Sequence, residues 1–165
     1  MTRRAVLWIA AIALRIDPLL SDDHVYSVCS VLKNLKKLDH RLVRIHGTVH
    51  SGLEDYSLRD SCDFRLKTGA FTWPPAIWLT GPAMAESPID FQPDMKSIQR
   101  LSDLLKAKTR DFSAEVAATV EGRLEAHPLR TGVGGNGQVI GMGYGHLGGF
   151  PAQLVIKSVV IEPLQ

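Results

Sequence analysis

The sequence FSAEVAATVEGRLEA, residues 112–126, alternates almost perfectly and constrains the fold more than any other part of the chain. Seven of its eight even-numbered residues, from Phe112 to Ala126, are apolar, and the eighth is Gly122; the odd-numbered ones are mostly polar. A period of two over this length predicts a long strand with one buried and one solvated face. Long strands usually curl, and Gly122 offers a point to bend. The pattern therefore predicts a small antiparallel barrel or sandwich.

The composition fits one folded domain. The chain has 165 residues, of which 45% are hydrophobic and 22% are charged. These values are ordinary for a globular domain with its own core, and they exclude disorder or a coiled coil for the whole chain. We assign residues 22–165 to a single domain.

The first residues have the layout of a secretory signal. Arg3 and Arg4 precede an apolar run over residues 5–14, which is too short to span a bilayer. We predict a signal peptide over residues 1–21 and an exported protein, periplasmic or secreted. The alternative is an amphipathic or buried N-terminal segment of a cytoplasmic protein.

Export changes the charge of the chain. Residues 1–21 contain three arginines and one aspartate, so their removal brings the formal net charge from +2 to zero. A near-neutral domain lacks the broad positive surface expected of a nucleic-acid-binding protein.

The chain has two cysteines, Cys29 and Cys62. In an exported protein an even number of cysteines predicts a disulfide bridge. The alternative is two buried free thiols in a cytoplasmic protein. No C-x-x-C motif is present and no histidine stands at ligand spacing from either cysteine, so we predict no metal site.

The remaining periodicities predict two helices and five strands. The helices cover residues 25–38, with Ser27 as the N-cap, and 95–109. The strands cover residues 42–50, 55–60, 76–80, 112–126 and 153–162. Residues 63–75 are predicted as a loop. Residues 132–149 are rich in glycine and are predicted as a long connection, either a lid or slack chain.

This order of elements resembles that of small exported bacterial proteins that have an OB-like barrel and no assigned activity. Four local strings add to the resemblance: LVRIHGTVH, DYSLRDSC, AIWL and GYGHLGGFPAQLVIKSV. The resemblance covers about residues 25–162. It implies a mainly β fold, a five-stranded OB-like Greek-key barrel, with one helix before the first strand and one between the third and fourth strands.

The same resemblance indicates where a ligand would bind. OB-folds bind ligands across their second and third strands and between the loops that join strands one to two and four to five. Here this points to Tyr56, Arg59, Trp78, Tyr144, His146 and Phe150.

Aromatic residues in this set would offer a stacking platform for sugars or bases. Trp73 stands beside Pro74-Pro75, and we expect it to be exposed, whereas Trp78 lies in an apolar strand and is expected in the core.

Other chemistry is poorly supported. Two GxGxxG strings, at residues 132–137 and 143–148, precede a strand and not a helix, so no nucleotide or other cofactor is predicted. His46 and His50 lie too far apart on a strand to share an ion. His146 is flanked by glycines, and either a structural hydrogen bond or a role as ligand or general base fits it.

Three functions remain open. The first is an exported, non-enzymatic binding or interaction module whose ligand is a glycan, a peptide or an envelope protein. The second is a nucleic-acid-binding OB domain, which predicts binding that weakens steeply with salt. The third is an enzyme that uses His146, which requires a carboxylate close to this histidine.

Overall fold

A computed structural model describes residues 24–110 and 112–162. The predicted signal peptide lies outside the described residues. The helices are α1 (Val28–Lys33), α2 (Leu35–Leu38) and α3 (Met95–Lys108). The strands are β1 (Val25–Ser27), β2 (Leu42–Ser51), β3 (Tyr56–Arg59), β4 (Lys67–Thr68), β5 (Phe71–Thr72), β6 (Ala76–Thr80), β7 (Ala114–Glu125), β8 (Thr131–Val133), β9 (Val139–Gly141) and β10 (Gln153–Ile161).

Five of these strands close into a barrel. Strand β2 pairs antiparallel with β3, β3 pairs antiparallel with β6, and β6 pairs parallel with β10. Strand β10 then pairs antiparallel with β7, which returns to pair antiparallel with β2 and completes the ring. The short β1 adds to β2 in parallel. The prediction of a mainly β fold with a closed five-stranded barrel is confirmed.

Strand β7 follows the predicted alternation through most of its length. Ala114, Val116, Ala118 and Val120 are buried in the core. Gly122 lies so close to β10 that an added Cβ would stand 2.4 Å from the carbonyl oxygen of Val155. A glycine is therefore needed here by close backbone approach.

The alternation fails at both ends of the predicted strand. Phe112 was expected on the buried face, but it lies before β7, is 72% exposed and has a φ of 65°. Arg123 and Glu125 were expected on the solvated face, yet they are 7% and 0% exposed. These two expectations were wrong because residues 84–88 fold over this end of the strand. The carbonyl oxygens of Ser87 and Pro88 accept hydrogen bonds from Arg123, and the Glu86 amide donates one to Glu125.

The N-terminal helix is shorter than predicted. Residues 25–27 form β1, because they pair with β2, and the helix begins after Ser27, whose Oγ accepts a hydrogen bond from the Ser30 amide as an N-cap. Asn34 separates α1 from α2. Leu35 packs against the main core, and four other apolar residues of α1 and α2 are buried in it: Val28, Val31, Leu32 and Leu38.

The predicted disulfide is confirmed. Cys29 and Cys62 are bonded, and their Cα atoms are 5.5 Å apart. The bridge therefore fastens α1 to the segment that follows β3.

Helix α3 connects β6 to β7 and agrees with the predicted span. Asp94 caps its N-terminus by accepting hydrogen bonds from the amides of Lys96 and Ser97. Leu101 and Leu105 are buried against the barrel. The predicted loop over residues 63–75 contains the small hairpin β4–β5.

Candidate functional site

The glycine-rich region is folded and lies against aromatic side chains. Its first part forms the hairpin β8–β9, and its second part, residues 141–150, we call the strap. An added Cβ would stand 2.8 Å from the Trp73 ring at Gly141, 2.9 Å from it at Gly143, and 2.5 Å from the Trp78 ring at Gly145. These three alternate residues of the strap thus lie against an indole ring, where a Cβ has no room.

Trp73 is buried beneath the strap. It is 1% exposed, its Nε1 donates a hydrogen bond of 2.9 Å to Thr68 Oγ1, and its ring meets Phe71 edge-on with centroids 4.9 Å apart. The expectation that Trp73 is exposed was wrong, because hairpin β4–β5 and the strap cover it from two sides.

Three of the candidate ligand-binding residues form a small apolar cluster of their own. Tyr144 and Phe150 are buried there with Ala76, and the half-buried Trp78 packs against them. The Trp78 and Phe150 ring centroids are 5.2 Å apart. Trp78 therefore lies at the edge of this second cluster and not in the main barrel core.

His146 joins the strap to the loop between β2 and β3. Its Nε2 lies 3.1 Å from Glu54 Oε2, and the two side chains are 43% and 69% exposed. A histidine and a carboxylate thus meet, on an open surface. Leu53 and Leu147, the sequence neighbours of this pair, are each 81% exposed.

Arg59 is the last residue of β3. Its guanidinium pairs with Asp55, and its Nε donates a hydrogen bond of 3.0 Å to Ser57 Oγ. Within the part of the chain that the structure describes, the buried Oδ1 of Asp55 has no hydrogen-bond partner. The Arg59 side chain is 39% exposed. Because Asp55 follows Glu54 in the β2–β3 loop, this ion pair begins next to the residue that contacts His146.

Tyr56 begins β3 and packs against the main core. Burial raises the pKa of its phenol to about 12. Its ring is therefore held by packing and is not fully free to stack with a ligand.

A buried polar cluster, absent from the sequence-based predictions, lies where β7 ends and β10 begins. Arg123 donates hydrogen bonds to the carbonyl oxygens of Ser87 and Pro88, both at 2.6 Å, and to Glu125 Oε1 at 2.7 Å. Gln153 donates to Glu125 Oε2 at 2.6 Å. The bonds from Arg123 satisfy backbone carbonyl groups of a segment that has no regular structure and lies over this end of β7.

The ionised form of Glu125 is stabilised in this cluster. Burial acts to raise the pKa of its carboxyl, but hydrogen bonds from Gln153, from the Glu86 amide and from Arg123, with the charge of Arg123, lower it overall. The alternating pattern gave no signal of this cluster, because the covering segment is distant in sequence.

Tyr144 links the strap to this polar cluster. Its hydroxyl donates a hydrogen bond of 3.2 Å to Glu86 Oε2, and its ring stacks on His127 with centroids 4.4 Å apart. Burial, together with the nearby charge of Glu86, raises the pKa of Tyr144 far above its usual range. Tyr144 is thus a neutral hydrogen-bond donor that ties the strap to the loop after β6.

The candidate residues fall into two groups. Trp73, Trp78, Tyr144 and Phe150 come together in or under the strap, and His146 stands at its exposed turn. Tyr56 and Arg59 lie on β3. His146 and Arg59 are thus more exposed than Trp73, Tyr144 and Phe150, which are buried.

Among the described residues, no three histidine, cysteine, aspartate or glutamate side chains are placed to hold a metal ion. No helix among them is long and apolar enough to cross a membrane. Comparisons of the chain with protein-family models, with curated proteins and with solved structures gave no match.

Proposed function

We propose that this chain is an exported, non-enzymatic binding or interaction module built on an OB-like barrel. The order of strands supports the fold assignment. An OB-fold is a five-stranded Greek-key barrel, and three strands, a helix and two strands is its order along the chain. The barrel strands β2, β3 and β6, helix α3, and the strands β7 and β10 follow one another in this order.

One contact carries the proposal for binding. The loop between the first and second barrel strands meets the long connection between the fourth and fifth through the His146–Glu54 pair. These are the two loops that hold ligands in OB-folds. The binding rim then consists of Glu54, Arg59 and His146, with the exposed side chains of Leu53 and Leu147 beside them.

The disulfide and the N-terminal sequence support export. Disulfides persist in oxidising compartments and are rare in the cytosol. A periplasmic or secreted protein has glycans, peptides and envelope proteins as candidate ligands. Recovery of an uncleaved chain with two free thiols from a bacterial host would contradict export.

The binding rim is tested by two matched histidine variants. His146 and His46 are similarly exposed, at 43% and 47%, and each pairs with a carboxylate, at 3.1 and 2.9 Å. We expect His146→Ala to weaken ligand binding at least tenfold and His46→Ala to leave it unchanged.

The assay is a titration of the isotope-labelled full domain, followed by amide chemical shifts. The probes are chitohexaose, a basic decapeptide and a twelve-nucleotide single-stranded DNA. Saturable shifts at the rim with either of the first two support the proposal. Binding of the DNA alone, weakening steeply with salt, would instead favour the nucleic-acid-binding alternative. No saturable shifts at the rim with any probe would count against a rim site.

The second candidate function is an enzyme in which Glu54 orients His146 as a general base. The 3.1 Å contact between them favours it, because a carboxylate commonly fixes the orientation of a catalytic imidazole. We would measure hydrolysis of p-nitrophenyl acetate by the wild type and by both variants. Equal rates in all three would remove this candidate for ester hydrolysis.

A further inference from the structure

We propose that the free edge of β10 beside the start of α3 binds an extended acidic peptide of another protein, which adds to the sheet as a further strand. The site, which we call the β10 edge, is a groove of about 340 Å³ lined by residues 159–161 of β10 and by Asp94, Lys96, Ser97 and Arg100 at the start of α3. It shares no residue with the binding rim, so this inference goes beyond the proposed function.

The backbone groups of β10 alternate in direction at this edge. In an antiparallel pair, residues whose N–H and C=O groups face the partner strand alternate with residues whose groups face away. The Glu162 amide donates a hydrogen bond of 3.2 Å to a β7 carbonyl oxygen, so Val160, two residues earlier, also faces β7. Ile161 and Val159 therefore face away from β7. The bond of 3.0 Å from Val159 N to Ser97 Oγ agrees with this direction.

The start of α3 covers only part of the β10 edge. The Asp94 amide donates a hydrogen bond of 2.7 Å to Lys157 O, and Ser97 Oγ accepts the bond from Val159 N. Among residues 24–110 and 112–162, nothing pairs with Val159 O or with the N–H and C=O groups of Ile161. Such unpaired groups are a template for another chain. An added strand can accept a hydrogen bond from Ile161 N and donate to Val159 O and Ile161 O.

The charge of the groove favours an acidic partner. Lys96 and Arg100 lie one turn apart on α3, both are exposed, and neither belongs to an ion pair within the described ranges. Asp94 also lines the groove, but its carboxylate caps the helix by accepting hydrogen bonds from two amides. Glu162, which follows β10, pairs with His46 at 2.9 Å. Two cations are thus available to carboxylates of a bound peptide.

The backbone groups of the edge favour a peptide over another polyanion. An extended peptide presents alternating N–H and C=O groups that match those of Val159 and Ile161, whereas a nucleic acid has no such ladder. Side chains of a strand point alternately to the two faces of a sheet. One set on an added strand can therefore meet the cations of α3, and the other can lie beside Val160, which is 60% exposed.

The probe is the peptide acetyl-Thr-Glu-Val-Glu-Val-Glu-Thr-amide, titrated into the isotope-labelled full domain and followed by amide chemical shifts. Its control is the same peptide with lysine in place of each glutamate. We expect saturable shifts at residues 159–161 and at the start of α3 with the acidic peptide, and none there with the lysine peptide. Absence of saturable shifts at the β10 edge with the acidic peptide would overturn the proposal.

Hydrogen exchange of two neighbouring amides in the wild type tests the added strand directly. The Ile161 amide faces the groove, whereas the Val160 amide belongs to the ladder with β7. Saturating acidic peptide should slow exchange at Ile161 by about tenfold or more, because this N–H gains an acceptor, and should change exchange at Val160 much less. Peptide binding that leaves exchange at Ile161 unchanged would overturn strand addition.

Two charge reversals on α3 test the role of the cations. Arg100 and Lys106 are both exposed, but only Arg100 lines the groove. We expect Arg100→Glu to weaken binding of the acidic peptide by about fivefold or more and the matched Lys106→Glu to change it by less than about twofold. Equal weakening by both variants would mean that only the net charge of the protein attracts the peptide, and would overturn the site.

Two other occupants of the β10 edge are outcomes of the same experiments. Shifts there with a twelve-nucleotide single-stranded DNA in preference to the acidic peptide would replace the proposal with a nucleic-acid surface. Protection of the Ile161 amide that rises with protein concentration, without any peptide, would show that a second copy of the chain occupies the edge. Failure of the proposal in any of these ways leaves the binding rim to its own test.

Discussion

Replacing both cysteines by alanine is expected to lower the free energy of unfolding by roughly 3.8 kcal/mol. Cys29 and Cys62 are 33 residues apart in sequence, and the magnitude follows from the chain entropy that a closed loop of this size removes from the unfolded state. Because domains are typically stable by about 5–15 kcal/mol, the variant loses a large fraction of its stability.

Urea unfolding followed by far-ultraviolet circular dichroism measures this loss. The midpoint should fall and the m value should rise, because the unfolded chain without the bridge is less compact and exposes more surface. The reduced wild type is the control and should unfold close to the double variant. A loss under about 1 kcal/mol with an unchanged m value would refute the reasoning, since the bridge would then not act through the unfolded state.

Four further predictions concern the barrel wall. Glu125→Ala should lower the free energy of unfolding, measured with urea, by about 3–5 kcal/mol, because it leaves a buried guanidinium unpaired. Glu121→Ala, whose partner Lys157 is 32% exposed, should lower it by about 1 kcal/mol or less. Since the pKa of Glu125 is lowered in the folded protein, the stability that its ionised carboxylate contributes should be fully present above about pH 4.3 and be lost as the pH falls. The prediction is contradicted if acid lowers the free energy of unfolding of the wild type no more than that of Glu125→Ala. Tyr56 should ionise near its pKa of about 12 in an absorbance titration. The stability that its neutral phenol contributes is therefore present below about pH 10 and lost between about pH 10 and 12. Tyr56→Phe should remove this part of the loss of stability at high pH. Gly122→Ala should destabilise by about 1–3 kcal/mol in thermal unfolding, because its Cβ meets a β10 carbonyl oxygen; an unchanged melting temperature would show that the two strands separate easily.

The barrel was predictable because its signals are local. The alternation at residues 114–122 reflects a strand with one face in the core. Ser27 marked the start of α1 as a capping residue, and helical spacing of apolar residues indicated α3. The bridge between Cys29 and Cys62 followed from their number alone once export was assumed.

The candidate site was less predictable because it depends on segments that are distant in sequence. Arg123 and Glu125 have the polar character of a solvated face, and only the fold of residues 84–88 buries them. Trp73 stands beside prolines, as exposed residues often do, but Gly141 and Gly143 cover it. A single sequence contains no signal of which distant segment will cover a surface.

Closure of the barrel between β2 and β7 also has a consequence for folding. The β2–β7 pairing, which we call the seam, runs from Ser51 opposite Ala114 to Leu42 opposite Arg123. It joins parts of the chain that are separated by the barrel strands β3 and β6 and by helix α3. Such non-local pairing folds slowly. Until β7 arrives, one edge of the apolar β2 has no partner and can pair with another chain. Refolding yield should therefore fall as protein concentration rises, even for a chain whose final structure has no open edge at this seam.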